Sequence, residues 1–498
     1  MKGDFTRDTF DARRQFTRVL MQQGRVQLDA DWNEQASILL HYLRGLAADL
    51  IGPHGGPTDN LGFDISAPSG TQAGDFAIGP GVYYVNGIRC EAAGTSYSRQ
   101  IDYPLTDDDK LKEQPVPYLA YLEVWERHVT YNEFDGIREV ALGGPDTTTR
   151  TQLVQQVRTL LLADKIEDPT NVDWFKNHQP PYSAEERRAL IEMGLPLLVF
   201  AASIEKDPTK KAKIEANIAD LRTILAALDG ARLKARAFVA QPSTDPCTIS
   251  PDARFRGAEN QLYRVEIHRS GGVWDGRAAP TPSLATFKWS REDGSAVFPI
   301  IKIDDKVVTL AHLGRDDRFG LREGDCVEVS DNDYVVRNRA EQLLFVTAID
   351  RDRLQVTLDG APGLQLKPGA TALLRRWDHN GRVLRLDDGA ALILEGAGAD
   401  DNWMELEDGV QVQFQAPASG AQPNQYRTGD YWLIPARTAT GDVEWPGPSD
   451  NPVALPPHGF KHHYAPLRRI TVDGSGTVKP DKLDLRRRFD AQATIIKP

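Results

Sequence analysis

Between Gln23 and Gln35 the chain reads QGRVQLDADWNEQ, which crowds Asp29, Asp31 and Glu34 together with Arg25, Trp32 and Asn33. Carboxylates this close can share a proton for acid–base work, supply oxygen ligands to a cation, or cap a helix and hold an arginine in a two-pronged ion pair. Structural use needs no catalysis. The expectation is that Asp31 and Glu34 cap the helix that follows, Arg25 pairs bidentately with a carboxylate, and Trp32 anchors the apolar side, so that the segment serves as a docking or junction site.

A second set of candidates is PPHGFKHHY, where His458, His462 and His463 could offer imidazoles to a metal. An i,i+4 histidine pair faces one ion only on a helix, and the Pro-Pro, the internal Gly and the missing Glu do not fit a HExxH site. These histidines are therefore expected to hydrogen-bond locally. The acidic stretches TDDDK, GRDDRFG, SDNDY and AGADDNW lack the EF-hand spacing and read as solvated turns, with a surface calcium ion the one cofactor such loops would suit. A nucleophile elbow, a P-loop and a dinucleotide fingerprint are absent from any strand-to-helix context. No catalytic residue, metal ligand or cofactor is assigned, and the expectation is a protein that is not an enzyme.

Bulk properties narrow the classes further. The 498 residues carry 59 Lys plus Arg against 71 Asp plus Glu, a net charge of −12, which repels a phosphate backbone and argues against nucleic acid as partner. Mean hydropathy is −0.44, and no run of about 18 apolar residues offers a membrane span. The opening MKGDFTRDTFDARRQ has no apolar core of a secretory signal, so synthesis in the cytoplasm is expected. Cys90, Cys247 and Cys326 lie far apart and read as reduced thiols.

The elements that must position these residues alternate in kind. A first helix is expected over Asp8–Gln22, and a second after Asp31, where Trp32, Ala36, Leu39, Leu43, Leu46 and Leu50 step by four and three until Gly52-Pro53. Residues 1–59 thus form an N-terminal helical docking unit. Short β-rich runs divided by Gly and Pro follow over 60–161, including an Asn86-Gly87 hairpin signal. Residues 162–236 read as a helical insertion in which Ile214, Ile218, Leu221, Leu225 and Leu228 make a two-heptad stripe, either packed on its own domain or a candidate interface. The β pattern resumes over 237–310, with a small barrel or sandwich over 311–420 and a β and loop region over 421–498. The fold class is mainly β and multi-domain, built of sandwiches or small barrels.

Several strings together carry a resemblance: FTRVLMQQGRVQLDADWNEQ, YLAYLEVWERHVT, GGPDTTTRTQLVQQV, ENQLYRVEIH, FKWSREDGSAV and YRTGDYWLIPART. They are similar to an uncharacterised bacterial family whose members often occur beside phage-tail-like contractile injection systems, and more loosely to phage baseplate and tail-fibre-network proteins. The resemblance implies a structural or accessory particle component at the baseplate or fibres, which docks to baseplate, sheath or tube subunits, with a homo-oligomer as a further partner and its order left open, and which leaves the cell only with the particle. Under it, Asp146 and Arg150 join Arg25, Asp29, Asp31, Trp32, Asn33 and Glu34 as residues that fix junctions or contacts. Two alternatives belong to other classes. Tryptophans in GDYWLIPART and DNWMEL could stack on cell-surface glycans, or the chain could be an enzyme carried as cargo.

Overall fold

The computed structural model describes residues 2–102, 105, 110–114, 117–162, 184–238, 254–277, 279, 281–314, 316, 318–332, 335, 337, 339–364, 371–379, 386–398 and 401–490. Its longest described strands form a hairpin in which Tyr118–Val129 and Arg150–Leu161 pair from Tyr118↔Leu161 to Val129↔Arg150. Alternating apolar and β-branched residues favour this extended pairing. On the other side of Tyr118–Val129 lies His463–Val472, followed by Val478–Asp484. A second sheet, in the order Arg488–Phe489, His54–Pro57, Gly81–Val85, Ile88–Ala92, closes over the same core of Phe63, Phe76, Tyr83, Leu122, Val124 and Leu467. Asn86 (φ 47°) and Gly87 (φ 76°) form the two-residue hairpin turn that their sequence signals.

The expected unit over 60–161 is therefore corrected: it is completed by the last strands of the chain. Arg486 fixes that return, donating to the Gly62 carbonyl at 2.8 Å and to Asp64 at 2.7 Å. The described part of the expected 421–498 region, 421–490, is accordingly split between two bodies.

The second body is a sandwich. One sheet runs Leu386–Asp387, Ala390–Leu392, Thr286–Ser290, Gln261–Arg269, Tyr431–Arg437, Asp442–Val443. Facing it, Val410–Gln415 pairs with Met404–Glu407, Glu395–Gly396 and Leu233–Ala237. Tyr263, Phe287, Phe414 and Trp432 fill the space between the sheets. A closed six-stranded barrel, from Val297–Asp304 through Ala372–Trp377, encloses Phe298, Val308, Val356 and Leu374. The barrel thus begins before residue 311 and ends before 420. Only a short turn separates Thr286–Ser290 from Val297–Asp304, so the passage from sandwich to barrel leaves no break in composition.

Among the described residues three long α-helices accompany the sheets: α1 (Asp29–Ile51), α2 (Ala184–Ile204) and α3 (Pro208–Leu228). None of the described helices is long and apolar enough to cross a membrane. The expected helix over Asp8–Gln22 is instead an irregular arm with one 3-10 turn, Ala12–Arg14. Helices α2 and α3 form a hairpin in which Ile218 and Leu221 are buried, with Ile214 and Leu225 partly so, against Ile191, Leu198 and Ala202. Leu228 is half-buried at the end of the stripe. The candidate interface stripe of α3 is therefore the hairpin's own core, because α2 returns beside it after three residues. Through Ala189, Leu190 and Met193 the hairpin rests on Tyr121, Leu160 and Tyr464.

Candidate functional site

Helix α1 turns its apolar stripe away from the protein. Trp32 is 72% exposed, Leu43 62%, Leu46 59% and Leu50 78%, and Leu39, Leu40 and Tyr42 are exposed with them. The reverse face carries small and polar residues and one isoleucine: Ala30 and Ile38 are buried, while Glu34, Ser37, Arg44 and Ala48 are partly covered. Helix periodicity usually sends leucines inward and polar residues outward. Here the arrangement is inverted, and the apolar surface continues along the arm through Phe16, Leu20, Met21 and Val26. Exposed apolar patches of this kind mark interaction sites.

The inverted orientation is held by polar contacts. Thr6 donates its backbone N–H to Asp29 at 2.9 Å and its hydroxyl to the same carboxylate. Burial opposes ionisation of Asp29, but these bonds hold its carboxyl below the ordinary value. The Thr9 hydroxyl donates to Glu34 at 2.8 Å, and the Val19 N–H to the Gln35 side chain at 2.8 Å. The Phe10 ring sits 5.7 Å from that of His41. On the side toward the hairpin, Arg44 makes a two-pronged bridge to Glu126 at 2.9 and 2.6 Å. Beneath it the turn at Gly87 comes so near that a Cβ there would overlap the Arg44 carbonyl.

The arm itself is rooted between sandwich and barrel. Lys2 Nζ lies 2.8 Å from Glu266, and the Gly3 N–H donates to Asp293 at 3.2 Å. Arg264, fully buried, bridges the same two acids at 2.6 and 3.1 Å. Lys288 holds Glu328 at 2.7 and 2.8 Å, and the Trp377 indole N–H donates to Glu328 at 3.0 Å. Burial lowers Lys2 to about 8 against the pull of Glu266. For Glu328 burial acts upward, yet Lys288 and Lys2 bring it down to about 2. Breaking one member of such a buried set costs about 3–5 kcal/mol, because its partners are left charged and unpaired.

The opening cluster is thus brought together differently from the expectation. Helix α1 starts at Asp29, its N-cap Leu28 makes no side-chain cap, and Asp31 and Glu34 form no capping box. The reason is local: Asp31 lies within the first helical turn and not at the cap, and Glu34 is engaged by the Thr9 hydroxyl. Arg25 pairs with none of the three carboxylates among the described residues, and it lines a shallow hollow with Val19, Leu20, Met21 and Asp31. Trp32 and Asn33 point outward. Asp146 and Arg150 lie exposed where the loop 130–149 enters the long hairpin, Arg150 donating to Thr148 at 2.7 Å. Sequence reasoning missed Thr6, Thr9, Gln35 and the Arg44–Glu126 pair. The small residues Ala30, Ser37 and Ala48 opposite the leucines were the available signal.

The histidines of PPHGFKHHY do not converge. His462 meets Glu123 at 2.8 Å, His463 accepts from Asn86 at 3.2 Å, and the His458 backbone pairs with Tyr431. Among the described residues no three His, Cys, Asp or Glu side chains gather to hold a metal ion. Asp316 of GRDDRFG caps its own turn at the Arg318 and Phe319 N–H groups. Most of TDDDK, and Cys247, lie outside the described residues. Of the tryptophans considered for glycans, Trp432 is core and donates to the Leu455 carbonyl at 3.0 Å, and the Arg236 guanidinium covers the Trp403 ring at 4.0 Å.

Comparison with known proteins adds a family. The chain matches the model of a family described as "Family of unknown function (DUF6519)" over residues 1–479, and it belongs to that family. No curated protein matches it. Among solved structures, "Crystal structure of TssK" aligns with 73% of this chain and 96% of that chain, at 8% identity and a TM-score of 0.16, below the level of a shared architecture.

Proposed function

We propose that this family member is a structural subunit that works by protein–protein docking through the outward face of α1 and the adjoining arm, as a baseplate- or fibre-associated component of a phage-tail-like contractile particle. The observation that carries the docking part is the inverted helix: leucines outward, polar groups pinned inward by Thr6, Thr9 and Arg44. Binding energy at protein interfaces is concentrated in a few desolvated aromatic and apolar anchors, and Trp32 with Leu39, Leu43 and Leu46 supplies such a group. The particle part is supported by the resemblance of the opening GRVQLDADWNE string and its companions to proteins encoded beside contractile injection systems.

The test is co-sedimentation with sheath and tube proteins from a producing cell. Wild-type chain is expected in the particle fraction, and a Leu43→Glu/Leu46→Glu variant in the free fraction. Both side chains are already exposed, so the variant folds normally on this account. Equal sedimentation of the two would remove α1 as the docking face, and absence of wild type from the particles would remove the particle assignment.

A further inference from the structure

The stripe on α1 has a finer regularity than amphipathicity requires. Trp32, Ala36, Leu39, Leu43, Leu46 and Leu50 alternate by four and three, the 3.5-residue period of a coiled-coil seam, with Ala36, Leu43 and Leu50 at one core position and Trp32, Leu39 and Leu46 at the other. All six are exposed over a helix of 23 residues, about 35 Å long at 1.5 Å per residue. Nothing within the described chain fills the holes between them.

We infer that the first occupant of this seam is a second copy of the same chain, packed antiparallel about a two-fold axis near His41. This deepens the docking reading and rests on it. An isologous two-fold contact requires a surface that is complementary to itself. Reversing α1 on itself about His41 sets Leu39 opposite Leu43, Ala36 opposite Leu46 and Trp32 opposite Leu50. Each large residue then meets a smaller or equal one, the alternation that lets core layers interdigitate. A parallel pair in register would instead stack Trp32 on Trp32 and leave Ala36 facing Ala36 across a gap.

Charge points the same way. From Trp32 to Leu50 the seam and its flanks carry one ionised side chain, Asp49, near the C-terminal end. At the N-terminal end the exposed Arg18 and Arg25 of the arm stand beside the helix, placed there by the Val19–Gln35 hydrogen bond and the shared hollow. Antiparallel packing brings Asp49 of each copy to the arginine-bearing end of the other, and aligns the helix dipoles head to tail. No flanking pair of like charges opposes self-association.

Light scattering on the full chain reads the mass, and cysteine cross-linking reads the direction. The wild type is expected at twice 55.2 kDa. Leu43→Glu, which places a carboxylate in the centre of the seam, is expected at the monomer mass, with dimerisation weakened about a hundredfold. In a Cys247→Ser background, a mixture of Ala36→Cys and Leu46→Cys chains should form a mixed disulfide, while Ala36→Cys alone should not link to itself. Self-linking of Ala36→Cys would overturn the antiparallel arrangement. A monomeric wild type, or a dimer unmoved by Leu43→Glu, would overturn self-association. If that monomer still lost particle binding through Leu43→Glu, docking to another subunit would stand without the dimer; if it did not, both would fall.

Discussion

Helices α1 and α3 carry nearly the same stripe and use it in opposite ways. In α3 the residues Ile218 and Leu221 are sealed beneath α2; in α1 the equivalent leucines face solvent. What separates them is the next element of the chain. Glu205–Asp207 returns α2 onto α3 within three residues, whereas α1 runs into Gly52-Pro53 and then a strand, His54–Pro57, which turns away beneath it. A four-three period says that a helix will be covered. It does not say whether the cover lies in the same chain.

The largest test of this contrast is a pair of truncations. Leu221→Ala opens a cavity in a packed core and should lower unfolding free energy by about 2–5 kcal/mol, whereas Leu43→Ala should leave the stability of the isolated chain within about 0.5 kcal/mol. Denaturant titration, under conditions where the chain is monomeric, reads both. A comparable loss at the two sites would break the distinction between internal and external stripes.

Next in size is the seat of α1. Gly87 needs its positive φ and leaves no room for a Cβ beside the Arg44 carbonyl, so Gly87→Ala should release α1 at a cost of about 1–3 kcal/mol. Limited proteolysis should then cut within 29–51 while the α2–α3 hairpin resists. Cleavage in both regions would mean that the whole first body had loosened.

Acid should distinguish the two helices too. Burial, with Arg487 nearby, holds His54 down to about 4; burial, with Lys461, Arg44 and His462 nearby and Glu126 opposing, does the same for His463. His54 opens the strand that contacts α1, His463 lies within reach of Arg44 on α1, and the α2–α3 hairpin contains no histidine. A histidine depressed on folding contributes stability above its unfolded value near 6.5, and that stability is lost as pH falls toward 4. Hydrogen exchange in α1 should therefore rise relative to α3 between pH 6.5 and 4. A constant ratio would show that neither histidine supports the seat.

The smallest effect is expected at the arm. Thr9→Val removes one partly buried hydrogen bond to Glu34 and should cost about 1 kcal/mol, read as faster exchange at the first turns of α1 only.

Much of the β architecture was legible because its signals are local. Asn86-Gly87 specifies its own turn, and alternation in Tyr118–Val129 specifies its own strand. Pairing between Tyr118–Val129 and His463–Val472 was not, since two strands more than 300 residues apart share no local mark. The start of the barrel was hidden for a related reason: Thr286–Ser290 and Val297–Asp304 look alike and belong to different sheets. At the opening cluster the sequence marks a group of residues but not the bonds they make. Asp29 and Glu34 are held by threonines from an arm read as helix, and Trp32, read as an inward anchor, stands at the start of the exposed seam.

The most direct test is cryo-electron microscopy of the assembly purified from its native producer. Density is expected over Leu39, Leu43 and Leu46, with the arm ordered alongside. An α1 face open to solvent in the finished assembly, with contacts made elsewhere, would contradict docking through α1.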